Sequence, residues 1–108
     1  MSRKGRVFFK GIAAGIIEEH DDGYRFQYLS GYLDRKDAVA VSLTLPLRGQ
    51  PYESRAMIPF FDGLIPEGWL LSVAVRNWKL DARDRMGLLL SCCGDCIGAV
   101  TIKDMTDE

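Results

Sequence analysis

The chain has 108 residues, enough for one domain with a modest core, and its 47% hydrophobic and 27% charged content is that of an ordinary globular protein. A formal net charge of −1, with Arg3, Lys4 and Arg6 as a small basic start and Asp104, Asp107 and Glu108 as a small acidic end, argues against a nucleic-acid arm or a polybasic membrane patch. No apolar run approaches the ~20 residues of a transmembrane helix, and Val7 to Phe9 is too short for a signal-peptide core, so the expected compartment is the cytoplasm.

Arg6 to Tyr28 reads as a three-stranded meander. Val7, Phe8 and Phe9 are strand formers, Gly11 begins a turn, and Ile16 and Ile17 restart the pattern. Asp21-Asp22-Gly23 is a hairpin signal in which Gly supplies a positive φ. Tyr24, Phe26 and Tyr28 alternate with Arg25 and Gln27, which places three aromatic rings on one strand face. Gly31 to Ala38 reads as a loop or a single turn.

Val39 to Leu47 returns to strand character, with Val41, Leu43, Leu45 and Leu47 alternating against Ser42, Thr44 and Pro46. Pro46 has no N–H and belongs at the end or edge of that strand. Tyr52 to Met57 reads as a further short strand.

From Glu67 the pattern turns helical. At ~100° per residue, Leu70, Leu71, Ala74, Val75 and Trp78 share one side, while Trp69 falls opposite with Ser72 and Arg76. A second helix follows, with Asp81 as N-cap and Asp84 as its capping-box-like partner. Ala82, Met86, Leu89 and Leu90 form its apolar stripe, and Arg83 and Arg85 its solvated sides. Val100 to Ile102 closes as a final strand returning to the sheet. The expected fold is α+β: a small antiparallel sheet packed with two or three short helices, one domain over 1–108 with its core at about 6–103.

Candidate chemistry is sparse. Cys92, Cys93 and Cys96 are clustered and odd in number, which is no secreted disulfide framework. Cys93-Gly94-Asp95-Cys96 matches C-x-x-C, but a zinc site lacks a fourth ligand and a redox dithiol wants its motif after a strand and at a helix start. Here a helix precedes and a strand follows, so free thiols in a tight turn are the plainer reading. His20 is the sole imidazole and reads as a solvated turn residue. No nucleophile elbow or phosphate loop is present, and turn or helix capping accounts for Asp62 and Glu67. The expectation is a binding module with no catalysis, metal or cofactor.

The segment most suited to binding is Phe60 to Trp69, F-F-D-G-L-I-P-E-G-W. Large apolar side chains there alternate with Gly63, Pro66 and Gly68, which interrupt both regular periods. Phe60 and Phe61 are expected to hold the turn onto the core. Two readings of Trp69 stand: a side chain packed within its own domain, or a turn-presented anchor for a partner.

The first hairpin around Gly15, the F-x-Y at Phe26 and Tyr28, S-L-T-L-P-L at Ser42 to Leu47, F-F-D-G-L-I-P-E-G at Phe60 to Gly68 and G-D-C-I-G-A-V at Gly94 to Val100 together resemble the N-terminal subdomain of HipA-type toxin kinases, the HipA coupling domain. The resemblance runs from about Arg6 to Lys103. It implies that G-D-C-I-G-A is a structural turn and that the catalytic residues belong to a kinase core outside this sequence.

As a free-standing chain the module is similar to HipS-like antitoxins of tripartite HipB–HipS–HipT systems. That likeness implies binding a HipA-like or HipT-like Ser/Thr kinase toxin in trans, and a larger complex with a HipB-like helix-turn-helix protein. The expected partner surface is Asp62, Ile65, Pro66, Glu67, Trp69, Ser72, Val73 and Arg76. Two other readings are an N-terminal fragment of a full-length HipA-type kinase and a small dithiol redox protein using Cys93 and Cys96.

Overall fold

The structure, a computed structural model, describes residues 3–65, 84–92 and 99–105. Among the described residues, five strands form one antiparallel sheet: β1 (Lys4–Phe9), β2 (Ile12–His20), β3 (Gly23–Tyr28), β4 (Tyr52–Ser54) and β5 (Val100–Asp104), in the order β4-β3-β2-β1-β5. Three short helices, again among the described residues, accompany them: α1 (Ser30–Leu33), α2 (Pro59–Asp62) and α3 (Arg85–Cys92). The α+β class and the meander expected from the alternation are both present.

The meander is built by two tight turns that use different chemistry. Phe9 pairs with Ile12 across Lys10 and Gly11, whose φ angles of 52° and 82° are both positive. That is the backbone a two-residue hairpin turn needs to match the strand twist. In the second hairpin His20 pairs with Gly23, so the turn residues are Asp21 and Asp22, and Gly23 opens β3. A Cβ at Gly23 would lie 2.3 Å from the Ser54 carbonyl oxygen. This glycine, with φ of 150°, therefore also serves the close approach of the β4 end.

Register assigns the faces. Val7 lies opposite Gly15 on one side and Ile102 on the other, and Ile17 lies opposite Phe26. Val7, Ile17, Phe26 and Ile102 are all fully buried. A bulge between Val7 and Phe8 leaves Ala14 as the extra residue of β2. The Ala14 carbonyl accepts from Leu29 N–H (2.9 Å), tying the bulge to the start of α1. Gly5 is where α3 comes down on the sheet: a Cβ there would sit 2.7 Å from Leu90 and 2.8 Å from Ile102. Met86, Leu88 and Leu89 bury fully from the same helix.

The strand expected at Val39 to Leu47 does not form. Its backbone groups are taken by side chains instead. The Tyr28 hydroxyl accepts from Val41 N–H (3.0 Å) and donates to the Leu45 carbonyl. The Tyr32 hydroxyl donates to the Val39 carbonyl (2.6 Å), and the Tyr52 hydroxyl donates to the Pro46 carbonyl (2.5 Å). Ser42 Oγ accepts from Thr44 N–H (3.2 Å), a local bond that competes with a ladder. Meanwhile β4 occupies the β3 edge through Phe26–Tyr52, Arg25–Glu53 and Tyr24–Ser54 pairs. Val41 and Leu45 turn into the core, whereas Leu43 is 99% exposed.

Candidate partner-binding surface

Pro59 occupies the first turn of α2, where its missing N–H costs nothing and its fixed φ favours helix entry. The turn closes through Asp62 N–H to the Ile58 carbonyl and Gly63 N–H to the Pro59 carbonyl, both 3.0 Å. So the Phe60-containing segment begins as one helical turn, within what the Gly and Pro spacing predicts as a turn-rich connection leading into a helix. Gly63 ends it with ordinary right-handed dihedrals.

This turn is fastened from below by Phe61, which is fully buried with its ring centroid 5.1 Å from Phe26. Phe60 is half-buried and packs edge-on against Phe61 at 5.2 Å. Both rings therefore support the turn from the core side, as expected.

Of the residues expected to meet a partner, two are described. Asp62, at the end of α2, accepts a 2.6 Å hydrogen bond from Arg85 Nε, so Arg85 is an ion-pair partner as well as a surface side chain of α3. With the two side chains 43% and 31% exposed, such a pair is worth at most about 1 kcal/mol. The pair therefore adds little to the stability of the fold. Ile65 is 2% exposed and belongs to the core, which leaves it little surface to offer. Pro66, Glu67, Trp69, Ser72, Val73 and Arg76 lie outside the described residues, as do Trp78, Asp81, Cys93 and Cys96.

A second charged constellation, not anticipated from sequence, holds α3 against the sheet. Arg3 donates from Nε and Nη2 to Glu19 (2.7 and 2.8 Å) and from Nη1 and Nη2 to Asp84 (2.9 and 2.7 Å). One guanidinium therefore bridges β2 and the start of α3 with two bidentate contacts, the geometry that distinguishes Arg from Lys. Asp84 Oδ1 also accepts from Gly87 N–H at 3.1 Å, the bond of an N-cap residue. The described helix begins at Arg85, so Asp84 is the cap where the sequence pattern places it as the cap's partner. Residue separations of 16 and 81 explain why no local pattern reveals this network.

The hydrogen bond from Arg3 holds the Asp84 carboxyl below its ordinary range against the opposing effect of burial, and Gly87 N–H adds to it. The same contacts, Asp84 first and Glu19 second, push the Arg3 guanidinium further up. A lowered folded-state value means that Asp84 stabilises the fold above the ordinary carboxyl range near pH 4 and that this contribution disappears as pH falls through the folded value. Asp84→Asn should therefore cost about 1 kcal/mol or less at pH 7, given the partial exposure. It should also flatten the loss of stability between pH 5 and pH 2, measured by urea melts at each pH. An unchanged acid limb would remove Asp84 as its source.

His20 ends β2, where the sequence suggests a solvated turn. Its Nε2 lies 2.9 Å from Glu18 Oε2 but without hydrogen-bond geometry, so the contact is one of charge when the ring is protonated. The described carboxylates Glu19, Asp62 and Asp84 are each paired with a guanidinium. Such pairs join elements of the fold. No described helix is long and apolar enough to cross a membrane.

Comparison with known proteins agrees with this architecture. The HipA N-terminal domain family matches residues 5–103. An uncharacterized protein of Haemophilus influenzae is 31% identical over 102 residues, covering 94% of this chain and 92% of that one. The putative kinase Y4mE of Sinorhizobium fredii is 31% identical over 103 residues, and there the match covers 94% of this chain but only 24% of the relative. Among solved structures, the N-terminal domain of HipA toxin superposes with a TM-score of 0.71 at 25% identity, covering 98% of this chain and 95% of that one. The overall fold is thus shared with the N-terminal domain of a HipA toxin, and the chain belongs to the HipA N-terminal domain family.

Proposed function

We propose that this chain acts as a non-catalytic antitoxin, HipS-like in kind, that binds a HipA-like or HipT-like Ser/Thr kinase toxin in trans and neutralises it. The observation that carries this reading is the Haemophilus relative, which is matched over 92% of its length and so consists of little beyond this one module. A module that stands alone in a relative has a use apart from a covalently attached kinase. The contact surface in this reading is Asp62 at the end of α2 together with Pro66, Glu67, Trp69, Ser72, Val73 and Arg76, with Ile65 supporting it from the core. Asp62 and Glu67 supply negative charge suited to the basic groups of a phosphate-handling cleft. A HipB-like helix-turn-helix protein is the third component of the assembly, reached through the kinase, and the compartment is the cytoplasm.

A second reading is favoured by the Sinorhizobium relative, in which the same module makes up 24% of a putative kinase. In that reading the present chain is the N-terminal domain of a longer HipA-type kinase and packs against it in cis. Co-expression separates the two. In the antitoxin reading, this chain restores growth to cells expressing a HipA-type kinase from the same genome and copurifies with it as a stable complex. Undiminished toxicity and no copurification would remove the antitoxin reading.

A further inference from the structure

Among the described residues, the large hydrophobic side chains that are well exposed are Val39 at 47%, Leu43 at 99% and Leu47 at 37%. All three belong to the one loop between α1 and β4. Leu43 is the extreme case, since the fold gives its side chain no cover at all. Its neighbours Val41 and Leu45 are 6% and 3% exposed, so this is not a loop that lifts away from the domain. The backbone on both sides of Leu43 is fastened by the Tyr28 hydroxyl, which bonds Val41 and Leu45. Ser42 and Thr44 close the tip through Ser42 Oγ and Thr44 Oγ1 at 2.9 Å. Farther along, Arg48 lies over the Tyr52 ring at 3.7 Å and donates to the Gln50 and Pro51 carbonyls. A leucine held at the tip of a pre-formed turn loses little freedom on being covered, and that is the condition under which an apolar contact adds most to affinity.

We propose that Leu43 is the apolar anchor of a second docking surface, on which the kinase portion of a HipA-type polypeptide seats through an apolar socket. This rests on the reading that the chain meets such a kinase. The relatives point to this occupant: the matched module is 24% of the Sinorhizobium putative kinase, so about three-quarters of that polypeptide is joined to a module of this kind. The described residues on the sheet face opposite Val7 and Ile102 include the charged Lys4, Arg6 and Lys103 beside Phe8, Ile16 and Thr101. The loop offers the kinase portion the exposed apolar side chains.

The test is calorimetric titration of the purified full chain against a HipA-type kinase from the same genome. Burial of a leucine is worth roughly tenfold to a hundredfold in affinity. Leu43→Ala should therefore weaken binding about tenfold, and Leu43→Asp by more than about thirtyfold, because a charge enters an apolar socket. Both variants should melt within about 1 °C of the parent, because the side chain touches nothing in the domain. Leu43→Asp binding within twofold of the parent would overturn the proposal. If Trp69→Ala loses binding while Leu43→Asp does not, the kinase reading stands and the second surface falls. If the parent chain does not bind the kinase, both fall. A parent dimer that Leu43→Asp splits, with kinase affinity unchanged, would make the occupant a second copy of this chain and also overturn it.

Discussion

Replacing Trp69 by Ala is expected to leave the domain folded and to abolish protection against a HipA-type kinase toxin. On the helical period of residues 67–78, Trp69 falls opposite the stripe of Leu70, Leu71, Ala74, Val75 and Trp78, so the core stripe does not require it. It follows a segment whose near end is firmly placed: Phe61 is fully buried and α2 is closed by two backbone hydrogen bonds. A Trp at an interface centre contributes ~2–4 kcal/mol, which corresponds to a loss of about thirtyfold to a thousandfold in kinase affinity. The measurements are the melting temperature of the variant alone, its affinity for the kinase, and growth under toxin expression. A folded variant that still protects fully would refute the anchor role. A variant that no longer folds would instead show that Trp69 belongs to the domain's own core.

Much of the fold was legible in the sequence because its signals are local. The alternation of Tyr24, Phe26 and Tyr28 and the return of Val100 to Ile102 to the sheet depend on period-two patterning alone. The failures come from residues far apart in the chain. Val39 to Leu47 has the alternation of a strand, yet Tyr28, Tyr32 and Tyr52 supply hydroxyls to its backbone from three other elements. Its pattern held one correct half: Val41 and Leu45 do point inward, but Leu43 does not. The bridge from Arg3 to Glu19 and Asp84 left no trace in the sequence, because it joins the N-terminus to a helix start 81 residues away. At the candidate surface, the sequence separates the two halves of Phe60 to Trp69, the aromatic pair that holds the turn and the Trp that follows it. It does not reveal that Asp62 is already engaged by Arg85, which needs the packing of α2 against α3.

Phe61→Ala should be the most destabilising single change among the described residues of this surface, and its effect on the partner should come entirely through folding. The Phe61 ring is fully buried and joins α2 to the sheet through Phe26, which in turn packs at 4.9 Å against Tyr28 and 6.4 Å against Tyr52. Removing it deletes the apolar area of a whole ring and leaves a cavity that strands and helix cannot close without breaking these contacts. The expected cost is about 3–5 kcal/mol, a large share of the ~5–15 kcal/mol that holds a domain of this size together. In urea melts the midpoint should fall steeply, and thermal melting should drop by at least about 12 °C. Phe60→Ala is the control: its ring is only half-buried, so a loss of about 1–2 kcal/mol is expected. At low temperature, where a fraction of Phe61→Ala remains native, that fraction should still bind the kinase with the parent's affinity, in contrast to Trp69→Ala. If instead Phe61→Ala melts like the parent, the turn is not held by this ring, and the placement of everything that follows it in the chain needs another cause.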